Sequence, residues 1–395
     1  MRLRDLTRML ARAPKGANRW HTYADMREAA RRRLPKMVFD FVEGGAEGEL
    51  TIAANRAAID KVELAPSFLV DVAEREVSTT VLGRPVSLPF LLAPAGLATL
   101  VHREGELAAA RAAAAAGTVF AVSTGSGYSL EDIAAAAPEG RRWFQLYLWK
   151  SPEVVRSLVH RARDAGYEAL VLTVDVPVVG KRERDLRNGM SLPPRIQWNS
   201  ALDTARRLRW LRQLVTGPDI TFGSLVELGI GDDASAIGAY VDRELADPSR
   251  TWDDVAWLRR EWDGPLLVKG VITVADAEAA VRWGADGVIV SNHGGRQLDS
   301  VPGTFDMLPR IAEAVGDQAE VLVDGGCQRG ADVVKARALG AQATMGGRSW
   351  FWGLAVDGEA GVARMLDIYR TDIDRTLALV GRRRFDDVGP ELVAG

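Results

Sequence analysis

From about residue 85 onward the chain repeats one unit eight times. The unit is a short apolar run, usually β-branched, that in most cases has Gly, Ser, Thr or Asp at or beside its end, followed by a helical stretch that is often Ala-rich. The runs are Leu88–Ala93, Val119–Ser123, Trp143–Tyr147, Ala169–Val174, Leu266–Lys269, Gly287–Ser291, Val321–Asp324 and Ala343–Gly346. Helical stretches such as Glu104–Ala116, Pro152–Ala165, Val274–Trp283 and Asp332–Leu339 lie between them. Several close on a glycine, Gly117, Gly166, Gly284 or Gly340, which takes the left-handed conformation that ends a helix. Such alternation implies parallel βαβ units, and eight of them close a barrel with functional groups at the C-terminal strand ends. The rival, an open doubly wound sheet, lacks a GxGxxG after an early strand. The expected fold is an α/β TIM barrel.

The 395 residues exceed the ~250 of a bare barrel. The excess reads as an N-terminal helical extension over 1–84 and an insertion over 176–250 after the fourth strand. The barrel then spans 85–365 and a C-terminal segment 366–395, all in one domain. Residues 20–60 look helical, with Pro35 near a helix start, and are expected to pack on one end of the barrel. A loop as long as 176–250 is usually a lid, a binding segment or a mobile element. Within it, Ala205–Val215 reads as a short basic amphipathic helix, either a solvated cover for the barrel mouth or a membrane-surface contact.

Composition narrows the function. Hydrophobic residues at 47% and charged residues at 26% suit a globular chain rather than a disordered one. With 50 basic against 53 acidic residues, the net charge of −3 argues against nucleic-acid binding. A single cysteine, Cys327, excludes a disulfide framework and a Cys-rich metal site, and no metal is expected. No apolar run reaches membrane-spanning length. Met1–Arg19 is basic without an apolar core, so no secretory signal is expected and a cytoplasmic location is the default.

The strand ends carry the chemistry. They present Gln145 to Tyr147, Thr173 to Asp175, Lys269, Ser291 to Arg296, Asp324 to Gly330, and Gly346 to Arg348. Lys269 is one of only seven lysines, and inside an apolar run it needs an anionic partner or a functional role. Glycine-rich basic segments after the last two strands lie where barrels bind phosphate. His293 is the only histidine directly after a barrel strand. Asp175 can orient it as a base, and Arg182 and Arg296 can clamp a carboxylate. His21, His102 and His160 read as surface residues.

The motif Ser291-Asn292-His293-Gly294-Gly295-Arg296-Gln297-Leu298-Asp299 resembles the signature of FMN-dependent α-hydroxy-acid oxidases and dehydrogenases. So do Leu34–Val38, Phe144–Tyr147, Leu172–Pro177 and Arg182–Asp185, and the stretch Arg182–Pro194 looks most like mandelate dehydrogenase. The resemblance spans about 22 to 385, broken in the insertion. It implies FMN lined by Pro94, Ala95 and Gly96, with Ser123, Gln145, Thr173 and Ser291 contacting the flavin. It puts Lys269 near the flavin N1, and Asp324, Gly325, Gly326, Cys327, Gln328, Gly347 and Arg348 around ribityl and phosphate. It makes His293 the catalytic base with Asp175 in support, gives the substrate carboxylate to Arg182 and Arg296, and gives its hydroxyl to Tyr147. The implied reaction oxidises an (S)-2-hydroxy acid to the 2-oxo acid, aryl and mandelate-like or lactate-type. The acceptor is O2 or a quinone or electron carrier, the assembly a homotetramer. With a quinone, 205–215 would sit peripherally at the inner face of the cell membrane.

Three positions depart from the family pattern. Phe41 stands where a Tyr commonly helps bind the carboxylate. Gly125 stands where glycolate-type members carry Trp, which is expected to leave room for an aryl group. Gln328 replaces a usual Arg, with Arg329 next to it as a substitute phosphate contact.

Overall fold

The eight runs form strands because each is apolar on both faces. Val119–Ser123 and Ala169–Thr173 are buried along their whole length, as parallel strands sandwiched between side-chain layers must be. The computed structural model describes residues 19–190, 198–229 and 234–394. Residues 1–18 of the basic N-terminus, and 191–194 of the stretch compared with mandelate dehydrogenases, lie outside them.

A short antiparallel hairpin, β1 (Thr79–Val81) and β2 (Arg84–Val86), precedes the barrel. The barrel strands are β3 (Phe90–Leu92), β4 (Val119–Ser123), β5 (Arg141–Leu146), β6 (Ala169–Thr173), β7 (Leu266–Val271), β8 (Gly287–Val290), β9 (Glu320–Asp324) and β10 (Ala343–Gly346). They close in sequence order, with β10 pairing back to β3. Leu91, Ala121, Trp143, Val171, Leu267, Ile289, Leu322 and Met345 fill the interior, and Val81 and Val86 of the hairpin pack into the same cluster. One end is thereby plugged, which leaves the C-terminal mouth for chemistry. Helix ends follow the expectation from composition: Gly117, Gly166, Gly284 and Gly340 all have positive φ.

The N-terminal extension supplies helices Tyr23–Arg33, Lys36–Glu43 and Leu50–Lys61. Helix Lys36–Glu43 ends with unpaired carbonyls, as every helix does. Guanidinium groups from the barrel mouth satisfy them. Arg296 donates to Phe41 O and Gly44 O, and Arg348 to the carbonyls of Val42, Glu43, Gly44 and Gly294. Asp299 accepts from the backbone N–H groups of Gly48, Leu50 and Thr51, capping the next helix. The extension is therefore locked over the C-terminal mouth.

The insertion carries short helices, including Glu183–Asn188, Trp198–Ala205, Leu208–Thr216, Gly223–Val226 and Ala234–Glu244. The single helix expected over 205–215 is two, broken at Arg206-Arg207. Trp210 turns inward, buried, and its Nε1 donates to Leu100 O at 2.8 Å. Leu202, Arg206, Leu208, Arg209, Arg212 and Val215 face outward. After β10, the helical stretch Arg348–Val380 kinks at Asp357-Gly358 and passes through residue 365 without a break there.

Candidate active site

Register sets the floor of the site. Ser123 pairs with Gln145, and Thr173 with Lys269, so four polar side chains stand level at the mouth. Ser123 Oγ lies 3.2 Å from Gln145 Oε1. Lys269 is buried, with Nζ 2.8 Å from Asp324 Oδ2 and 2.8 Å from Ser291 Oγ. Asp324 is thus the anionic partner that the lysine required. Directly after Lys269 the pairing of β7 shifts at a bulge. Gly270 there has φ +99, and a Cβ on it would sit 2.6 Å from Asp175 Cγ. Only glycine leaves room for that carboxylate.

Above this floor, Asp175 Oδ1 lies 2.9 Å from His293 Nδ1. Burial works to raise the Asp175 carboxyl, but the His293 ring, their hydrogen bond and the Lys269 ammonium outweigh it and hold the group below its usual range. His293 sits at φ +58, followed by Gly294 and Gly295, also left-handed. The turn aims the ring back into the mouth, and Ser291 Oγ accepts the His293 N–H at 3.1 Å. Gln297 Nε2 holds the carbonyls of Asp175 and Val178.

Arg182 and Arg296 flank the Phe41 ring, their Cζ atoms 6.0 and 5.4 Å from its centroid. Phe41 thus replaces a hydroxyl donor with a cation–π face. Burial, with Arg182 and Arg348 close by, strongly disfavours charge on Arg296. A guanidinium stays protonated in proteins, and Asp185, 3.6 Å from Arg182, is one carboxylate against the three guanidinium groups of Arg182, Arg296 and Arg348, so the cluster still has charge to offer an anion. Burial also pushes the Tyr147 hydroxyl well above its usual value, keeping it a neutral donor.

These groups line one cavity of about 980 Å³. It contains Pro94, Ala95, Gly96, Ser123, Gln145, Thr173, Lys269, Asp324, Gly325, Gly326, Cys327, Gln328, Gly347 and Arg348, and also Tyr147, Arg182, His293 and Arg296. Asp175 and Ser291 stand one layer behind. Ser291 is fully buried with its hydroxyl on Lys269 and His293, so it supports the floor rather than lining it. Arg329 is exposed and off the cavity, so it does not replace the arginine missing at Gln328. Arg56 of the extension stands there instead, Nη1 donating to Gly326 O at 3.2 Å and to Asp332 at 2.7 Å. His102 is half-buried rather than exposed, and burial lowers its pKa.

The room expected beside Gly125 is also taken. A Cβ on Gly125 would lie 2.9 Å from Cε1 of Phe222, a ring from the insertion that sequence motifs did not single out. Arg56, Phe222 and the buried Glu106 escaped notice because none sits at a strand end. Glu106 is fully buried at the start of the helix after β3. Its Oε1 accepts the N–H groups of Ala98 and Gly127, tying the loops after β3 and β4 together. Burial raises it to about 7.

The cavity fits a flavin nucleotide on its own chemistry. Gln145 Nε2, Thr173 Oγ1 and Asp324 Oδ1 are buried without a hydrogen-bond partner among the described residues, which is costly unless a ligand supplies one. At the other end Gly325 and Gly326 take φ +91 and +89, a bend that brings bare backbone to the cavity beside Arg56 and Arg348. Together with a His–Asp pair and an anion-seeking arginine pair, this defines a flavin-dependent barrel oxidoreductase of small acids. Specifically, the chain belongs to the FMN-dependent dehydrogenase family, whose model matches residues 30–395. It is 44% identical to a putative L-lactate dehydrogenase of Mycobacterium tuberculosis, over 94% of this chain and 88% of that one. It also resembles the crystal structure of a monotopic membrane protein, (S)-mandelate dehydrogenase, at TM-score 0.91 and 39% identity, covering 95% and 99% of the two chains. A mandelate oxidase with (S)-4-hydroxymandelic acid matches at TM-score 0.81 and 39% identity, covering 93% and 96%. The protein is an FMN-dependent 2-hydroxy-acid oxidoreductase.

Proposed function

We propose that the protein oxidises (S)-2-hydroxy acids with an aryl, mandelate-like side chain to the corresponding 2-oxo acids. The observation that carries this reading is the 2.9 Å Asp175–His293 pair opening onto the same cavity as Arg182 and Arg296. An ionised Asp175 accepts from Nδ1, which leaves the Nε2 lone pair facing the cavity. Arg182 and Arg296 take the substrate carboxylate, and the neutral Tyr147 hydroxyl holds the oxygen at Cα. His293 then removes the hydroxyl proton, and Asp175 stabilises the imidazolium. Bound FMN supplies the two-electron acceptor. Ser123, Gln145, Thr173 and Lys269 are the residues that would hold its ring. Asp324, Gly325, Gly326, Cys327, Gln328, Gly347 and Arg348 would hold its tail, with Arg56 adding positive charge.

The aryl reading draws support from the apolar wall of the cavity, to which Val179, Leu186, Met190, Phe222, Val241 and Leu245 contribute. A lactate-type reading remains the second candidate, favoured by the 44% identity to a putative L-lactate dehydrogenase. The outward arginines and apolar side chains of 202–215 support peripheral docking on a membrane, where a quinone would be the acceptor. No helix among the described residues is long and apolar enough to cross one. The homotetramer implied by the family resemblance is read directly by light scattering of the holoenzyme. A panel of mandelate, 4-hydroxymandelate, lactate and glycolate, assayed in parallel with O2 and with an artificial quinone acceptor, tests the whole reading. We expect mandelates to lead in kcat/KM and the quinone to outpace O2. Equal efficiency for lactate and mandelate would overturn the aryl assignment.

A further inference from the structure

The insertion does more than cover the barrel mouth. Gly223 N donates to Ser126 O at 2.9 Å, so the insertion is hydrogen-bonded to the turn that follows β4. A Cβ on Gly223 would fall 2.4 Å from Tyr128 C and 2.7 Å from Ser129 N, backbone atoms with nowhere to go. The missing side chain therefore lets the two segments touch main chain to main chain. Ile220 and Leu225, both buried, anchor the segment on either side. Phe222 stands between these anchors, lines the cavity, and lays its ring edge over the bare Cα of Gly125.

We propose that Phe222 is the side-chain specificity determinant of this enzyme, a fixed aromatic wall that selects 2-hydroxy acids with a planar aryl group. Gly125 is the slot that admits the ring, and Gly223 is the contact that fixes it. The inference rests on the aryl reading above and deepens it. An open space beside Gly125 would reward any bulky substrate in proportion to its apolar area. A held ring instead rewards a second ring, since offset or edge-to-face aromatic pairs gain stability beyond their buried area. Flat aryl acids should therefore outrank branched aliphatic acids of similar size.

The test uses FMN-loaded enzyme and three acids: mandelate, 2-hydroxy-3-methylbutanoate and lactate. The kcat/KM of each is measured for the unmodified protein, Phe222→Leu and Phe222→Ala. Dissociation constants for the unreactive analogues phenylacetate and 3-methylbutanoate are read in parallel from the perturbed flavin spectrum. Phe222→Leu keeps bulk but loses the ring, so the mandelate-to-aliphatic ratio should fall about tenfold, and the phenylacetate preference with it. Unchanged far-ultraviolet dichroism and flavin content exclude misfolding as the cause. A mandelate preference that survives both variants would overturn the role of Phe222 while leaving the aryl reading intact. No mandelate preference in the unmodified protein would overturn the aryl reading itself, and this inference with it.

Discussion

His293 occupies a backbone region that few side chains tolerate, at φ +58. Strain of this kind persists only where the surroundings over-determine it. Here the N–H is held by Ser291 and the ring by Asp175. Replacing His293 with Ala removes the ring but leaves the floor that would hold FMN. Turnover should fall at least ~10²-fold with the flavin spectrum retained. Near-normal flavin reduction by substrate would remove His293 from the role of base. Glu106 gives a second prediction, with a defined sign. Its folded value of about 7 lies above its ordinary 4.5, so between these pH values the native state holds a proton that the unfolded state has lost. That contribution to stability is full below pH 4.5 and gone above about pH 7. By linkage the loss is on the order of 3 kcal/mol. Glu106→Gln keeps the acceptor for Ala98 and Gly127 and cannot ionise. Its urea midpoint should therefore decline less between pH 5 and pH 8 than that of the parent. Parallel declines in the two proteins would show that Glu106 is not the group responsible.

At the scale of elements, the strands were legible because a buried parallel strand needs apolar residues on both faces, and such runs stand out. The insertion was harder to read. Its basic amphipathic pattern over 205–215 was visible, but Trp210 turns inward to Leu100 O, and the break at Arg206-Arg207 falls where Arg207 donates to Arg32 O of the extension, contacts far apart in sequence. The helix Gly223–Val226 is too short for any periodicity, so Phe222 carried no signal. Docking of this element is open to perturbation at Gly223, where any Cβ meets fixed backbone. Overpacking of this kind costs about 1–3 kcal/mol. In Gly223→Val the segment should lift, so that limited trypsin digestion within 206–212 runs several-fold faster and KM for the acid rises. Cleavage and KM both matching the parent would mean that the contact does not hold the insertion down.

For the whole molecule, the extension and the insertion divide the work of closing the mouth. The extension brings Phe41 and Arg56 and is locked by Arg296 and Arg348. The insertion brings the apolar wall on its inner side and presents Leu208 and Val215 among arginines on its outer side. Arginines near an anionic membrane contribute about 1 kcal/mol each, and a buried Leu or Val about 1.5–3 kcal/mol. Leu208→Asp combined with Val215→Asp should therefore cut binding to phosphatidylserine-containing vesicles more than tenfold in a flotation assay. Activity toward a soluble acceptor should persist in the variant. Undiminished flotation would assign this face to solvent and return the helix to the role of a simple cover.

The sequence by itself determined the barrel, the order of its strands and the strand-end residues, because these follow from local periodicity and from neighbours along one strand. It also marked Asp175 and Arg182 in one stretch and His293 and Arg296 in another, because each lies in or beside a short contiguous motif. Tertiary structure decided what those residues touch. Lys269 found its anion in Asp324, Ser291 moved behind the floor, and Arg56 rather than Arg329 came to stand beside Gln328. It also decided that the space beside Gly125 belongs to Phe222, nearly a hundred positions along the chain. The physical reason is the same in each case. A side chain's partners across a barrel mouth are set by how separate loops pack, and no spacing within one segment encodes that.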